Sequence, residues 1–208
     1  MQDSSVTRSK SDLRARLLDA RAHNRQTSAP GEESASEAFR QLLAEHIVRS
    51  SPSGATVCAY LPTAGEPPIE PALEEVHASG RRILVPVTRP GRLLEWAAWT
   101  PAVDVVESRF GIREPVGERY GPEAFVRADL RLIPALAIDL SGFRLGYGGG
   151  FYDAALAAVS SCPRPTSNVG VCFANELLEA GSVPTEPHDA RLDLVCTERG
   201  FTRIGNWP

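Results

Sequence analysis

An apolar run, a cluster of glycines and a helical pattern follow one another in LRLIPALAIDLSGFRLGYGGGFYDAALAAV, residues 130–159. LRLIPALAID is long enough to form a strand that is buried on both faces, and the apolar residues of FYDAALAAV have helical spacing. Strands of this kind, separated by helices, are typical of parallel sheets that are covered on both sides. The stretch therefore predicts an α/β fold.

The same alternation extends to both sides of this stretch. Amphipathic helices are predicted at about residues 10–25, 34–47 and 69–79, and short apolar strands at 55–61, 82–87, 93–99, 168–174 and 192–196. We expect a single α/β domain over residues 1–208, with an open, largely parallel sheet and helices on both faces, in three layers. Trp96 and Trp99 are three residues apart in one predicted strand, so they should face opposite sides of it.

Composition argues against several classes of partner. The chain has 208 residues, a net charge of −4 and 23% charged residues, so nothing favours binding to nucleic acid or to an anionic membrane. Its four cysteines form no CxxC pair, and Cys58, Cys172 and Cys196 lie in apolar runs. Buried free thiols are expected, which fits a reducing compartment. With no signal-peptide pattern and no long apolar segment, we expect a cytoplasmic protein.

The glycine-rich segment from Arg144 to Asp153 carries the strongest functional signal. Glycines between a buried strand and a helix let backbone N–H groups approach a phosphate, and the start of the helix adds a favourable dipole. Arg144 could contribute a bidentate contact to the same phosphate. The alternative is a turn whose glycines only satisfy unusual backbone angles. The segment matches neither a Walker A loop nor the GxGxxG dinucleotide pattern.

Five other side chains could act near such a loop, each with a plainer alternative. Asp153 either stabilises the start of a helix or binds Mg²⁺ beside phosphates, and Asp189 is either solvated or a second ligand. Lys10 is the only lysine of the chain, and with Arg14 it forms either a phosphate-binding face or a solvated one. Glu66 follows a strand, where it could accept hydrogen bonds from the N–H groups of a heterocycle.

Several segments together resemble the 5-formyltetrahydrofolate cyclo-ligase family, also called 5,10-methenyltetrahydrofolate synthetases. The glycine segment RLGYGGGFYD, preceded by LIPALAIDLSGF, resembles the family signature. The other matching segments, in chain order, are Lys10 to Arg14, Tyr60-Leu61 with Glu66, FGIREP at 110–115, and Pro187-His188-Asp189 followed by Leu192-Asp193. The resemblance covers nearly the whole chain.

This resemblance implies a ligase that forms a cyclic C–N bond, with ATP and Mg²⁺, from 5-formyltetrahydrofolate. Lys10 and Arg144 are then catalytic, and Asp153 and Asp189 hold the metal. The implied ATP contacts are Lys10, Arg14, Arg144, Leu145, Gly146, Tyr147, Gly148, Gly149, Gly150, Phe151 and Tyr152. The implied folate contacts are Leu61, Glu66, Tyr147, Gly148, Gly149, Gly150 and Phe151.

Two other functions remain open from the residues themselves. A sugar-phosphate isomerase or related phosphate-ester enzyme could use the same glycine loop without ATP, although no carboxylate is clearly placed for proton abstraction. A folate- or nucleotide-binding module without turnover is the second. For the enzyme we expect a monomer that takes folate, with or without a polyglutamate tail. Whether the loop at 110–122 orders on binding stays open from the sequence.

Overall fold

The computed structural model describes residues 9–27, 31–108, 111–160, 167–187 and 189–204. Five helices lie within these ranges: α1 (Lys10–Thr27), α2 (Gly31–Ser50), α3 (Glu70–Ala78), α4 (Glu123–Arg127) and α5 (Phe151–Ser160). The predicted helices thus form, and the second begins three residues earlier than expected. Phe110, Cys162 and His188 lie outside the described residues.

Thirteen strands are present in the described part of the chain. They are β1 (Thr56–Cys58), β2 (Arg82–Arg89), β3 (Leu93–Trp99), β4 (Val105–Glu107), β5 (Arg113–Pro115), β6 (Arg119–Tyr120), β7 (Leu130–Pro134), β8 (Ala137–Asp139), β9 (Arg144–Leu145), β10 (Ser167–Val171), β11 (Leu177–Leu178), β12 (Leu194–Thr197) and β13 (Gly200–Arg203). Eight of them form the main sheet in the order β13-β12-β10-β7-β1-β2-β3-β6.

The main sheet is largely parallel, as predicted. Its five central strands, β12, β10, β7, β1 and β2, pair in parallel, and antiparallel strands complete both edges. The chain runs from β1 outward to β2 on one side, while β7 lies on the other side of β1. The connections therefore diverge between β1 and β7, which is where open α/β sheets usually bind ligands.

Helices cover both faces of this sheet, which confirms the predicted three layers. One core combines α2 and α3 with alternate strand residues such as Val57, Ile83 and Trp99. The other combines α4 and α5 with the intervening strand residues, including Trp96, which stacks on Phe125 at 4.9 Å between ring centroids. The two tryptophans thus face opposite sides, as their spacing predicts.

The run LRLIPALAID forms two strands in different sheets, so the prediction of a single strand is wrong. β7 belongs to the main sheet, whereas β8 pairs with β9 and β11 in a separate three-stranded sheet. Both pieces are buried, apart from the half-buried Pro134, so the sequence shows no polar break where the chain leaves the first sheet. α1 packs on the small sheet through Leu13 and Leu17, next to Leu145 and Val183.

Two further expectations can be compared with the structure. The segment 110–122, expected as a loop, contains β5 and β6, and β5 pairs with β4 as a small antiparallel hairpin. Cys58, Cys172 and Cys196 are buried free thiols, as predicted, and burial raises the pKa of each. In the described ranges, no helix is long and apolar enough to cross a membrane.

Candidate active site

A cleft of about 580 Å³ opens beyond the carboxyl ends of β1 and β7. Its walls come from α1, the loop after β1, the turn between β2 and β3, the glycine segment and the loop before β12. Every residue that the sequence singled out lines it: Lys10, Arg14, Leu61, Glu66, Arg144, Leu145, Gly146, Tyr147, Gly148, Gly149, Gly150, Phe151, Tyr152, Asp153 and Asp189. These side chains are widely spaced in sequence, and the fold brings them together.

The glycine segment connects buried β9 to the first turn of α5. Gly148 and Gly150 have φ angles of +99° and +71°, a region that side-chain-bearing residues rarely adopt. A Cβ added at Gly148 would lie 3.5 Å from the guanidinium carbon of Arg14. One added at Gly150 would lie 3.2 Å from the Cδ of Arg92. These glycines therefore let the backbone turn sharply while two arginines approach it closely.

The first helix places its cations on the cleft. Arg14 Nε donates to the carbonyl oxygen of Gly146 at 2.8 Å, which ties α1 to the glycine segment. Lys10 Nζ lies 2.7 Å from Asp189 Oδ2 and 4.0 Å from Glu186 Oε1. The spacing of Lys10 and Arg14 by four residues puts both on one helix face, as the sequence predicts, and that face is turned toward the cleft.

Arg144 forms the centre of the opposite wall. Its side chain is only 4% exposed, and it pairs with Asp153 and donates to the carbonyl oxygen of Ala190 at 3.2 Å. Burial lowers the pKa of Arg144 from its ordinary value, while the nearby charges of Asp153 and Asp189 act to raise it. One guanidinium therefore lies beside both carboxylates, although they are 36 positions apart in the sequence.

The two aspartates could serve a magnesium ion only in company with other ligands. Within the described ranges no cluster of three or more His, Cys, Asp or Glu side chains is placed to hold a metal. Mg²⁺ commonly takes one or two carboxylates and completes its shell with phosphate oxygens and water. Two carboxylates beside a phosphate-type loop fit such an ion better than a site built from protein ligands alone.

Glu66 occupies the other end of the cleft, in the loop after β1. Its Oε2 accepts hydrogen bonds from the backbone N–H and the hydroxyl of Thr63, at 2.7 and 2.8 Å. The Glu66 N–H in turn donates to the Thr63 carbonyl oxygen at 3.0 Å. The carboxylate is thus oriented by its own loop before any ligand binds.

A buried arginine links this end of the cleft to α1. Arg21 forms a two-point pair with Glu176, with distances of 2.5 and 2.7 Å, and donates to the carbonyl oxygen of Ala135 at 3.0 Å. It also donates to the hydroxyl of Tyr147, which lies within interaction range of Glu66. Burial alone lowers the pKa of Arg21, but the bonds with Glu176 and Tyr147 raise it above the ordinary value.

Sequence reasoning missed two arginines at or beside the cleft. Arg21 lies in an amphipathic helix full of arginines, and it contacts Tyr147 of the cleft without being part of the wall itself. Arg92 has a φ of +61° in the turn between β2 and β3 and lies over the glycine segment. The Pro90-Gly91 pair predicts that turn, but no pattern in the sequence shows which part of the molecule the turn approaches.

Comparison with known proteins decides between the readings that the residues left open. The model of the 5-formyltetrahydrofolate cyclo-ligase family matches residues 6–198. This chain belongs to that family. A relative from Mycolicibacterium smegmatis named 5-formyltetrahydrofolate cyclo-ligase is 36% identical over 203 residues, which cover 95% of this chain and 98% of the relative. One of the same name from Escherichia coli is 33% identical over 155 residues, covering 73% and 81%.

A solved structure supports the membership at the level of the fold. The 5,10-methenyltetrahydrofolate synthetase of Aquifex aeolicus superposes with a TM-score of 0.69 and 28% identity, covering 96% of this chain and 94% of its own. The family match extends over α1, the glycine segment and the loop before β12. All walls of the cleft therefore lie in the part of the chain that the cyclo-ligase family shares.

Proposed function

We propose that this chain converts 5-formyltetrahydrofolate to 5,10-methenyltetrahydrofolate, consuming ATP with Mg²⁺ and releasing ADP and phosphate. The observation that carries the proposal is the composition of one cleft. A glycine loop with four surrounding cations, Lys10, Arg14, Arg92 and Arg144, occupies one end, and an oriented carboxylate occupies the other. Such a cleft offers a place for a triphosphate and for a heterocycle at the same time.

The chemistry explains why both partners are needed. The formyl oxygen of an amide is a poor leaving group, so it first attacks the γ-phosphorus of ATP and displaces ADP. N10 of the folate then attacks the activated formyl carbon and loses its proton. The phosphate departs with the former formyl oxygen, and the five-membered ring is closed. No step requires a nucleophile from the protein, so positioning and charge neutralisation dominate.

The cations of the cleft suit the phosphoryl transfer. Backbone N–H groups of the glycine segment would hold phosphate oxygens at the start of α5, while the planar Arg14 group would bind a phosphate that moves little. Lys10 and Arg144 would neutralise the negative charge that develops on the transferred group. Each of these two is paired with a carboxylate in this structure, so binding requires an exchange of partners.

Asp153 and Asp189 are the residues that would hold Mg²⁺ with the phosphates. The ion supplies charge neutralisation between phosphate oxygens when it is bound. Two hard carboxylate ligands near Arg144 fit this role, because Mg²⁺ favours charged oxygen ligands. At the other end, Leu61, Glu66 and the segment from Tyr147 to Phe151 would border the folate. The buried free thiols support work in the cytoplasm.

The decisive experiment follows formation of the methenyl product by its ultraviolet absorbance. Protein, 5-formyltetrahydrofolate, ATP and Mg²⁺ together should give product and one ADP per product. Omitting ATP, replacing it by ADP, or adding a chelator should each abolish product. Product formation without nucleotide would refute the phosphorylation step. Absence of product under all conditions, with folate bound, would instead favour a binding module without turnover.

A further inference from the structure

Two tyrosine hydroxyls of the cleft have no hydrogen-bond partner among the described residues. They belong to Tyr60, which follows β1, and Tyr152, in the first turn of α5. Both residues line the cleft, and both hydroxyl oxygens are shielded from solvent. The Tyr60 side chain is embedded in the core around β1, with the whole residue 3% exposed.

Unpartnered buried hydroxyls are unusual, and leaving one costs stability. Most buried polar side-chain atoms in proteins have a partner, and an orphaned one forfeits the hydrogen bond that it made to water. The neighbouring Tyr147 follows the general rule, because its hydroxyl accepts a bond from Arg21. Two unpartnered hydroxyls in one cleft therefore indicate that a bound ligand supplies their hydrogen-bond partners.

Both hydroxyls lie near the Glu66 carboxylate. Burial raises the pKa of Tyr60 and Tyr152, and the charge of Glu66 is the next contribution to each. The hydroxyls stay protonated at neutral pH and can donate. Two hydroxyl groups beside one carboxylate thus offer a ligand both donors and acceptors within a small region.

We propose that Tyr60 and Tyr152 bind the heterocycle of the substrate beside Glu66 and determine which heterocycle the cleft accepts. This rests on the proposed function. A reduced pterin presents an amino group and a ring N–H next to a carbonyl oxygen. The carboxylate accepts from the two N–H groups, and a tyrosine hydroxyl donates to the adjacent carbonyl oxygen. The second hydroxyl binds the next polar atom of the same ring system.

The test uses Tyr60→Phe, Tyr152→Phe and the double variant, with Tyr120→Phe as the matched control. The Tyr120 hydroxyl bonds to Glu118 away from the cleft. Wild-type turnover is measured first, which tests the proposed function separately. Each cleft variant should raise the KM for 5-formyltetrahydrofolate about three- to tenfold and leave the KM for ATP unchanged. For Tyr152 this assigns the hydroxyl to the folate, in place of the ATP contact that the family resemblance implies. The control should match the wild type in both.

A second readout separates recognition from a structural role. Removing an orphaned hydroxyl should leave the ligand-free melting temperature equal or higher, while the upward shift caused by 5-formyltetrahydrofolate alone becomes smaller. Unchanged folate KM in the double variant would overturn the proposal. So would a lower ligand-free melting temperature with equal losses of folate and ATP affinity, since that pattern marks a residue needed only for packing.

Discussion

The two ends of the cleft are built in opposite ways. At the cation-rich end, Lys10 and Arg144 pair with Asp189 and Asp153, so each charge is balanced by a partner that a ligand can replace. At the Glu66 end, the carboxylate is fixed by its own loop, and the tyrosine hydroxyls beside it are buried. The first end must rearrange when a ligand binds, whereas the second is already formed.

This difference separates two kinds of energetic effect. Replacing a cation at the first end removes charge neutralisation that matters most during phosphoryl transfer, so turnover should suffer. Replacing a polar group at the second end removes contacts that are present before and during the reaction, so folate binding should suffer. Variants at the cation-rich end should therefore mainly lower kcat, whereas variants at the Glu66 end should mainly raise the KM for folate.

The largest effect is expected at Arg144. Arg144→Gln should lower kcat/KM by about 10²- to 10³-fold, because a nearly buried cationic donor to the developing charge is lost. Arg144→Lys keeps the charge without the planar fork and should retain part of the activity. The measurement is steady-state turnover with saturating folate, together with a thermal melt. A loss of less than threefold in a folded Arg144→Gln variant would place the transferred phosphate elsewhere.

At the preformed end, Glu66→Gln should weaken folate binding by about 1.5–3 kcal/mol, since a charged hydrogen-bond acceptor is lost. ATP affinity should stay nearly constant. Calorimetric titration with each ligand measures both, and Glu118→Gln, which alters an exposed carboxylate outside the cleft, serves as the control. Equal weakening of both ligands would remove the distinction between the two ends.

Lys10→Met should lower kcat about tenfold while changing the KM for ATP less. The ammonium contacts a group whose charge develops during transfer, so its contribution is greatest in the transition state. Arg16→Met, on an exposed position of the same helix, should behave as wild type. Acetylation tests the same amine: MgATP should protect Lys10, and modification should abolish turnover. Normal activity of a fully acetylated protein would contradict this role.

A smaller effect is expected at Arg92, which lies over Gly150. Arg92→Gln should raise the KM for ATP about two- to fivefold at low ionic strength, and the difference should shrink as salt is added. Arg89→Gln, at the end of β2 beside the same turn and paired with Glu95, is the matched control. A difference that persists at high salt would indicate that Arg92 shapes the turn through its φ of +61° instead.

The last prediction concerns stability at alkaline pH, outside the range in which the enzyme would work. An unfolded tyrosine loses its proton near pH 10, whereas burial raises the pKa of Tyr60 in the folded protein. The contribution of the protonated Tyr60 to the free energy of unfolding is therefore unchanged below pH 10. It is lost as the pH rises above 10, because the unfolded chain then releases a proton that the folded protein keeps. Relative to wild type, Tyr60→Phe should gain up to about 1.4 kcal/mol of unfolding free energy per pH unit there. Parallel denaturant titrations between about pH 9 and 11 measure this, and parallel curves would contradict it.

Alternation of apolar runs and helices predicted the central sheet and its layers, because a strand that is buried on both faces consists of a continuous run of apolar residues. It could not predict the division of residues 130–139 between two sheets, since both parts are equally buried. The antiparallel direction of β3 was also open, although Pro90-Gly91 is a hairpin signal. An apolar run predicts that a strand is buried, but it does not predict which strand it pairs with.

The glycine segment could be found in the sequence because the glycines that its sharp backbone turn requires are all neighbours in the sequence. Lys10 and Asp189 are each ambiguous alone, and their meeting depends on a contact across 179 positions. Tyr60 belongs to a segment that matches the family, but the role of its hydroxyl could not be predicted, for a different reason. A tyrosine in an apolar strand is typical of core packing, and only the surroundings of its hydroxyl oxygen distinguish a core residue from a binding one.

The position of α1 has a consequence for how the molecule is assembled during synthesis. Its Arg14, Arg21 and Lys10 contacts reach residues that follow 132, 155 and 179 positions later. Because these partners are synthesised long after α1, the helix cannot make all of these contacts until Asp189 has been added to the chain. Closing such long loops is slow compared with forming local structure. The cleft therefore takes its final form only after the segment that contains Asp189 has been synthesised.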